Sequence, residues 1–206
     1  MKVKSRRVAH TEATRQALVR AGRQLFGARG YAAVSVEAIA RRARVTTGAL
    51  YHHFRDKQDL FRAVFEQVNS ELMRRVAVDS AKHADPWKRL IAACDAWLAA
   101  CREREIRQII LLDAPTVLGW EEWRALDSPH GLALTTSGLR AAMNDGVLKR
   151  RSPEALAYLI YGALNEAGLA LARAADFEAA RAEMRELLVE LLSGLRADGS
   201  GGDDGR

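Results

Sequence analysis

Cysteine is scarce in this chain, and the scarcity narrows its chemistry. Cys94 and Cys101 are the only two among 206 residues. Both fall in one helical pattern, where seven residues at ~1.5 Å rise separate the Cα atoms by roughly 10 Å. A disulfide needs Cα atoms within about 7 Å, so the two cannot close on each other within that helix. They read as reduced core thiols, with a redox sensor pairing across subunits as the other reading. Metal ligation is equally short of material: the five histidines lack ligand spacing, and His52 and His53, being adjacent, diverge on a helix. No nucleophile–base pair and no phosphate-cradling glycine-rich loop is present, which disfavours an enzyme, and no cofactor is expected. Long apolar runs are missing too. No stretch approaches the roughly 20 consecutive apolar residues of a membrane span, and no apolar signal region follows the basic start MKVKSRRVAH. The expectation is a cytoplasmic protein with no membrane partner.

Acidic residues are in short supply in one place only. Up to Arg55 there are twelve Lys or Arg against Glu12 and Glu37, a local charge of +10, whereas the rest of the chain carries −4. The first quarter is therefore built to meet a polyanion. Residues 1–10 read as a basic arm, 11–57 as a helical DNA-binding domain, 58–197 as a second helical domain, and 198–206, within the Gly/Asp-rich end ADGSGGDDGR, as a disordered tail.

Residues Ser35 to Lys57, SVEAIARRARVTTGALYHHFRDK, hold two short helix patterns joined by a tight turn. Ahead of them, Leu18, Ala21, Leu25 and Phe26 share one face of a first helix that stops at Gly27 to Gly30, with Gly30 suited to a left-handed C-cap. Ser35 is an N-cap for the second helix, which buries Val36, Ile39, Ala40 and Ala43 and leaves Arg41, Arg42 and Arg44 near solvent. Val45 plugs the turn. In the third helix, from Thr46 or Thr47 through Phe54, about 100° per residue gathers Ala49, His53 and Phe54 around Leu50. Thr47, Gly48, Tyr51, His52 and Arg55 project to the other side. That face offers donors, aromatic surface and close approach without a carboxylate, as a helix lying in a major groove requires. Asp56 and Asp59 form a capping-box-like start to a fourth helix, and Lys57 stands at its N-terminus, where free N–H groups and an ammonium favour a phosphate.

The run VSVEAIARRARVTTGALYHHFRDKQDLF closely resembles the N-terminal signature of the TetR (tetracycline-repressor) family of bacterial regulators, over roughly residues 11 to 65. The resemblance rests on the Ile-Ala pair of the second helix, the Thr-Thr-Gly-Ala-Leu-Tyr start of the third, Tyr51-His52-His53-Phe54, and Lys57 at its offset. It implies that Thr47, Gly48, Tyr51 and His52 face bases or phosphates and that Ser35, Tyr51 and Lys57 clamp the DNA backbone. With Arg44 and Thr46 at the turn, these make the expected DNA-binding set. Arg44 stands where the family usually has Gly, which takes a left-handed backbone at less cost.

The remainder carries no motif of comparable specificity and reads as helical. Asp85-Pro86 opens one helix with Trp87, Leu90, Ile91, Cys94, Trp97, Leu98 and Cys101 as its stripe. Ile106 to Leu112 reads as a short buried helix ended around Asp113 to Pro115, Leu118 to Leu126 as another short piece, and Ser128-Pro129 to Asn144 as a third. Ser152-Pro153 and Asp176 open two final helices whose wide apolar arcs point to a four-helix dimer interface. The fold class is therefore all-α: an N-terminal three-helix helix-turn-helix bundle plus a C-terminal helical ligand-binding and dimerisation domain, the ligand part being what the resemblance implies. Pocket candidates are the polar or aromatic groups within apolar faces: Trp97, Cys101, Asp113, Trp120, Trp123, Tyr158, Tyr161 and Asn165. Asp113 either lines such a pocket, favouring a cationic or amine-bearing ligand, or caps the next turn. The expected partners are an operator in double-stranded DNA, a small-molecule effector and a second copy of the chain. The function expected is repression relieved by the effector, with a DNA-binding regulator that senses no ligand, or senses oxidation through Cys94 and Cys101, as the alternative.

Overall fold

The computed structural model describes the backbone of residues 2–197 and the side chains of residues 11–197. Over that range the chain is all-α: α1 (Lys2–Arg29), α2 (Val36–Ala43), α3 (Thr47–His53), α4 (Lys57–Ser80), α5 (Pro86–Ala100), α6 (Arg104–Ile106), a π-helical turn (Arg107–Asp113), α7 (Ala114–Leu118), α8 (Trp120–Asp127), α9 (Gly131–Asn144), α10 (Pro153–Arg173) and α11 (Phe177–Ser193). The described residues contain no strand beyond an isolated antiparallel bridge between Leu148 and Arg196. They divide into two compact units. One comprises the residues up to Glu71 together with Glu103–Asp127, and the other Leu72–Arg102 together with the residues from Ser128 on. This packing division differs from the one drawn on motif content at residues 57/58, because Glu103–Asp127 belongs with the N-terminal helices and the cut falls inside α4.

Two expectations about element boundaries are corrected. Residues 2–10 are the first turns of α1 rather than an arm ahead of it. Residues 2–21 contain neither Gly nor Pro, so nothing in that stretch stops the helix from propagating back through the basic residues. The helix expected to end around Asp113 to Pro115 instead continues as α7, Pro115 falling in the first turn of that helix, where a missing N–H is tolerated. The expected disordered tail, 198–206, lies outside the described residues.

In the first unit, α1 packs on α2, α3, α6 and the π-helical turn. Leu18, Ala21 and Phe26 of α1 are buried, as are Leu60, Phe61, Val64, Phe65 and Val68 of α4, while Leu25 is only half-buried. Gly22 permits the close approach of these helices, since a Cβ there would lie 3.2 Å from a Val64 methyl and 3.3 Å from the Phe26 ring. Phe26, Tyr31 and Phe61 then form an aromatic trio with centroids 5.2 to 5.6 Å apart. Such pairs add about 0.5–1.5 kcal/mol each beyond their buried area.

In the second unit, α5 meets α9, α10 and α11. Asp85, Ser152 and Asp176 cap α5, α10 and α11 by accepting from Lys88 N (2.7 Å), Ala155 N (3.1 Å) and Ala179 N (3.1 Å). α10 is long and apolar enough, by length and composition, to cross a membrane. Within this unit its apolarity is used on one side against neighbours: Ala157, Ile160, Tyr161, Leu164 and Leu171 are buried. Its opposite side, with Tyr158 and Leu159, is exposed, as are Leu187 and Leu191 of α11.

Arg44 is the one non-glycine residue with positive φ among those described, at φ 59°, ψ 41°. A left-handed residue with a Cβ costs about 1 kcal/mol. Arg44→Gly is therefore expected to raise the unfolding free energy by no more than about 0.5 kcal/mol in urea titration, once the extra entropy of an unfolded glycine is set against the relief.

Candidate nucleic-acid interface

The α2–turn–α3 geometry follows from local hydrogen bonds that any chain of this sequence can make. Ser35 is extended (φ −94°, ψ 159°) and its hydroxyl accepts from Ala38 N at 3.2 Å, which opens α2. At the other end, Arg44 N donates to Arg41 O (3.2 Å) and Val45 N to Ala40 O (3.0 Å), so the left-handed Arg44 closes the helix and reverses the chain within one residue. Thr46 then caps α3, its hydroxyl accepting from Ala49 N at 3.1 Å. The two helices are thus fixed by three side-chain and backbone devices between Ser35 and Ala49.

Burial divides α3 as the periodicity predicts. Leu50 is fully buried and Phe54 nearly so, with Ala49 and His53 half-buried beside them. Burial, with His52 and Arg15 nearby, lowers the pKa of His53 below the usual histidine value. Thr46, Thr47, Gly48, Tyr51, His52 and Arg55 are exposed, Tyr51 at 56%. Ser35 and Arg44 are exposed as well. A large aromatic left this open on a short helix has no packing role in the free chain. Nor does Gly48: a Cβ there would meet nothing nearer than the Thr46 hydroxyl at 3.8 Å, so the room it leaves lies on the outer face. Val36 and Val45, expected as core, are half-buried.

Lys57 is placed differently from the solvent-facing residues. Its Nζ donates to Tyr31 O and Val34 O, both at 3.0 Å, and lies 4.0 Å from the centre of the Tyr31 ring. Two of its three N–H donors thus tie down the connector between α1 and α2. The capping pair also departs from a reciprocal box. Asp59 N donates to Asp56 (2.7 Å), while the Asp59 carboxylate turns to Arg55, accepting from its backbone N at 3.1 Å and pairing with its guanidinium at 3.3 Å. The Arg55 hydrogen bond holds the Asp59 carboxyl below the usual carboxylate range.

The eight expected pocket residues are divided between the two compact units. Asp113, Trp120 and Trp123 belong to the first compact unit, and Trp97, Cys101, Tyr158, Tyr161 and Asn165 to the second. Asp113 is half-buried and spoken for: one oxygen accepts from Tyr31 N (2.8 Å), the other from Gln108 Nε2 (3.0 Å). It holds the protein's own backbone through the Tyr31 amide. Trp123 is buried against Trp120, which is 65% exposed, their centroids 5.0 Å apart. Trp97 is core, its indole N–H donating to Leu164 O at 3.1 Å, and Cys101 donates to Trp97 O at 3.3 Å. Tyr161 and Asn165 are buried, whereas Tyr158 is 57% exposed. A surface groove of about 570 Å³ does run along α9, past Leu132, Thr136, Arg140 and Asn144, but none of the expected residues lines it. Both thiols are buried, and burial pushes Cys94 and Cys101 up to about 12.

Sequence reasoning missed Tyr31, Gln108 and Arg23. Arg23 donates through Nε and Nη2 to both oxygens of Glu105 (2.8 Å each) and through Nη1 to Glu71 (2.6 Å). Its partners lie 82 and 48 positions away, beyond any local pattern.

A capped helix pair with a buried edge and an open, carboxylate-free edge defines a helix-turn-helix DNA-binding protein. Residues 18–64 match the family described as "Bacterial regulatory proteins, tetR family", and residues 87–195 match "Tetracyclin repressor-like, C-terminal domain". Of the solved structures, a TetR-family transcriptional regulator from Pectobacterium atrosepticum is 36% identical and superposes with a TM-score of 0.82, covering 92% of this chain and 97% of that one. RolR in complex with resorcinol superposes with a TM-score of 0.72 over 89% of each chain, but at 17% identity the likeness speaks to fold alone. The TetC protein of transposon Tn10 from Escherichia coli is 26% identical over 164 residues, or 79% of this chain and 82% of that protein. The chain belongs to the TetR family of bacterial transcriptional regulators.

Two outcomes follow from the geometry. Lys57→Met strips the donor from the Val34 carbonyl and leaves Tyr31 O only the Val34 amide at 3.3 Å, and is expected to lower the unfolding free energy by about 1–3 kcal/mol in denaturant titration without any DNA present. Cys94 and Cys101 are expected to resist labelling by a thiol-reactive disulfide reagent at pH 8 in the native protein and to react fully once it is unfolded, because neither thiolate nor access is supplied by the folded chain.

Proposed function

We propose that two copies of this chain bind a palindromic operator and repress transcription, and that a small-molecule effector releases them. The observation that carries the DNA part is the outer face of α3, where Thr47, Gly48, Tyr51 and His52 stand exposed beside a basic surface and no carboxylate interrupts them. Ser35, Arg44, Thr46 and the remaining N–H of Lys57 are assigned to phosphate and turn-proximal contacts. One such module touches too few bases for useful specificity, which is why a pair is needed, spaced about one helical turn of DNA or more. Support for the pairing comes from Tyr158, Leu159, Leu187 and Leu191, large apolar side chains left exposed on the last two helices. Support for an effector comes from RolR, a protein of the same fold whose structure holds resorcinol. The effector acts only to the extent that it favours one conformation over the other. We place the protein in the cytoplasm, where such DNA is found, and assign it no catalytic role. The alternative of an oxidation sensor has little support in thiols this buried and this weakly acidic.

The decisive experiment is selection of DNA fragments by the purified full chain. A two-fold symmetric site is expected, with affinity falling steeply in salt at a log–log slope of about −0.9 per phosphate contact. Tyr51→Ala is expected to lose binding to the recovered site while sedimenting as the same dimer. Normal operator binding by that variant would sink the assignment of α3, and a monomeric wild type bound to a single half-site would sink the dimer.

A further inference from the structure

We propose that Gln108 and Asp113, presented together by the π-helical turn, are positioning residues for DNA recognition. They grip the connector that leads from α1 into α2 and α3, and so make the stretch from Arg104 to Leu118 a control point on the DNA-reading helices. The inference rests on α3 being the DNA-contacting helix, and it reaches a segment that lies outside the matched N-terminal family region.

The geometry of the turn is the first support. In an α-helix, residues five apart point about 140° away from each other and their side chains cannot meet. In a π-helix the backbone bond runs from i+5 to i, as from Ala114 N to Ile109 O, and residues five apart come onto one edge. Gln108 and Asp113 are five apart, and Gln108 Nε2 donates to Asp113 Oδ1 at 3.0 Å. The wide turn therefore has a visible product, a glutamine–carboxylate pair that α geometry would not form.

The second support is what the pair holds. Asp113 Oδ2 accepts from Tyr31 N at 2.8 Å, just where α1 has ended and its C-terminal residues give way to the connector. Gly30, at φ +77°, lies directly against the pair: a Cβ there would stand 3.0 Å from Gln108 Nε2 and 3.7 Å from Asp113 Oδ2. From the other side Lys57 takes the Tyr31 and Val34 carbonyls. Val34 is followed at once by Ser35, the cap of α2. The connector is thus held at its amide by one segment and at its carbonyls by another, and the recognition pair begins one residue later. The same segment is fastened to α1 through Arg104, which donates to Ala28 O, and through Glu105 on Arg23.

Charge at Asp113 is held at a cost. Burial pushes its carboxyl above the usual range, against lowering by the Tyr31 amide, Gln108 and Lys57. An asparagine would keep an acceptor for the Tyr31 amide, and its own N–H₂ would meet a turned Gln108 amide, without a buried charge. An alanine would keep neither bond.

The test compares Asp113→Asn and Asp113→Ala in the full chain, using the DNA site recovered by wild type and hydrogen exchange of the segment 30–34. Asp113→Ala is expected to speed exchange at the Tyr31 amide and to weaken operator binding about tenfold, the equivalent of one lost buried hydrogen bond. Asp113→Asn should stay within about twofold of wild type in both readouts, and Gln108→Ala should add little to Asp113→Ala. The proposal is overturned by operator binding that is indifferent to Asp113→Ala, by an asparagine variant as damaged as the alanine one, or by loss of protection throughout α1 to α4 at once, which would mark a general folding role. A wild-type chain that recovers no DNA overturns the reading of α3 and this inference with it, whereas intact wild-type binding with an indifferent alanine variant overturns this inference alone.

Discussion

The Lys57 ammonium, set over the Tyr31 ring and bonded to the Tyr31 and Val34 carbonyls, is the interaction on which the DNA-reading unit depends. A helix that ends at Arg29 leaves its last carbonyls without intrahelical partners, and the connector that follows makes one backbone bond of its own, Val34 N to Tyr31 O at 3.3 Å. Lys57 answers the carbonyls, Asp113 answers an amide, and the aromatic trio beneath fixes the height at which the connector crosses. Only then does Ser35 stand where it can start α2. The exposed face of α3 is thus carried on a connector held by bonds from outside the helix-turn-helix pair.

Much of this unit was legible in the sequence, for a physical reason: its defining bonds are local. Ser35 to Ala38, Thr46 to Ala49 and Asp56 to Asp59 each span three residues, and a residue type at a fixed offset is enough to foresee them. The division of α3 into a Leu50 side and a Tyr51 side needs only the helical period. Other features were not legible. A lysine at a helix start looks the same in sequence whether or not neighbouring carbonyls engage it, and the carbonyls that do so here belong to a connector 23 to 26 positions upstream. Asp113 is the sharper case. Its place ahead of Ala114-Pro115 reads as a cap, and a carboxylate within an apolar run reads as a ligand contact, while its partner Tyr31 is 82 residues away.

The second compact unit carries less of a signature because its chemistry is that of ordinary helix packing. Trp97, Cys101 and Tyr161, polar groups on apolar faces, turned out to be core residues. Polar atoms on an apolar stripe need a partner, and the protein's own carbonyls serve for two of them: Leu164 O for the Trp97 indole and Trp97 O, one turn back, for the Cys101 thiol. The exposed apolar side chains of α10 and α11 have no such explanation inside the chain, so they, rather than the tryptophans, are where this half of the molecule looks outward.

The π-helical turn has a consequence for how this segment tolerates change in length. Between Gln108 and Asp113 the helix carries one residue more than an α-helix needs to stack two side chains. Removing any one of the four intervening residues would return the pair to a spacing of four, at which ordinary helical geometry brings them together. The chain therefore stands a single codon away from a second register of the same contact, and insertions or deletions here would be read by the connector as rotations rather than as gaps.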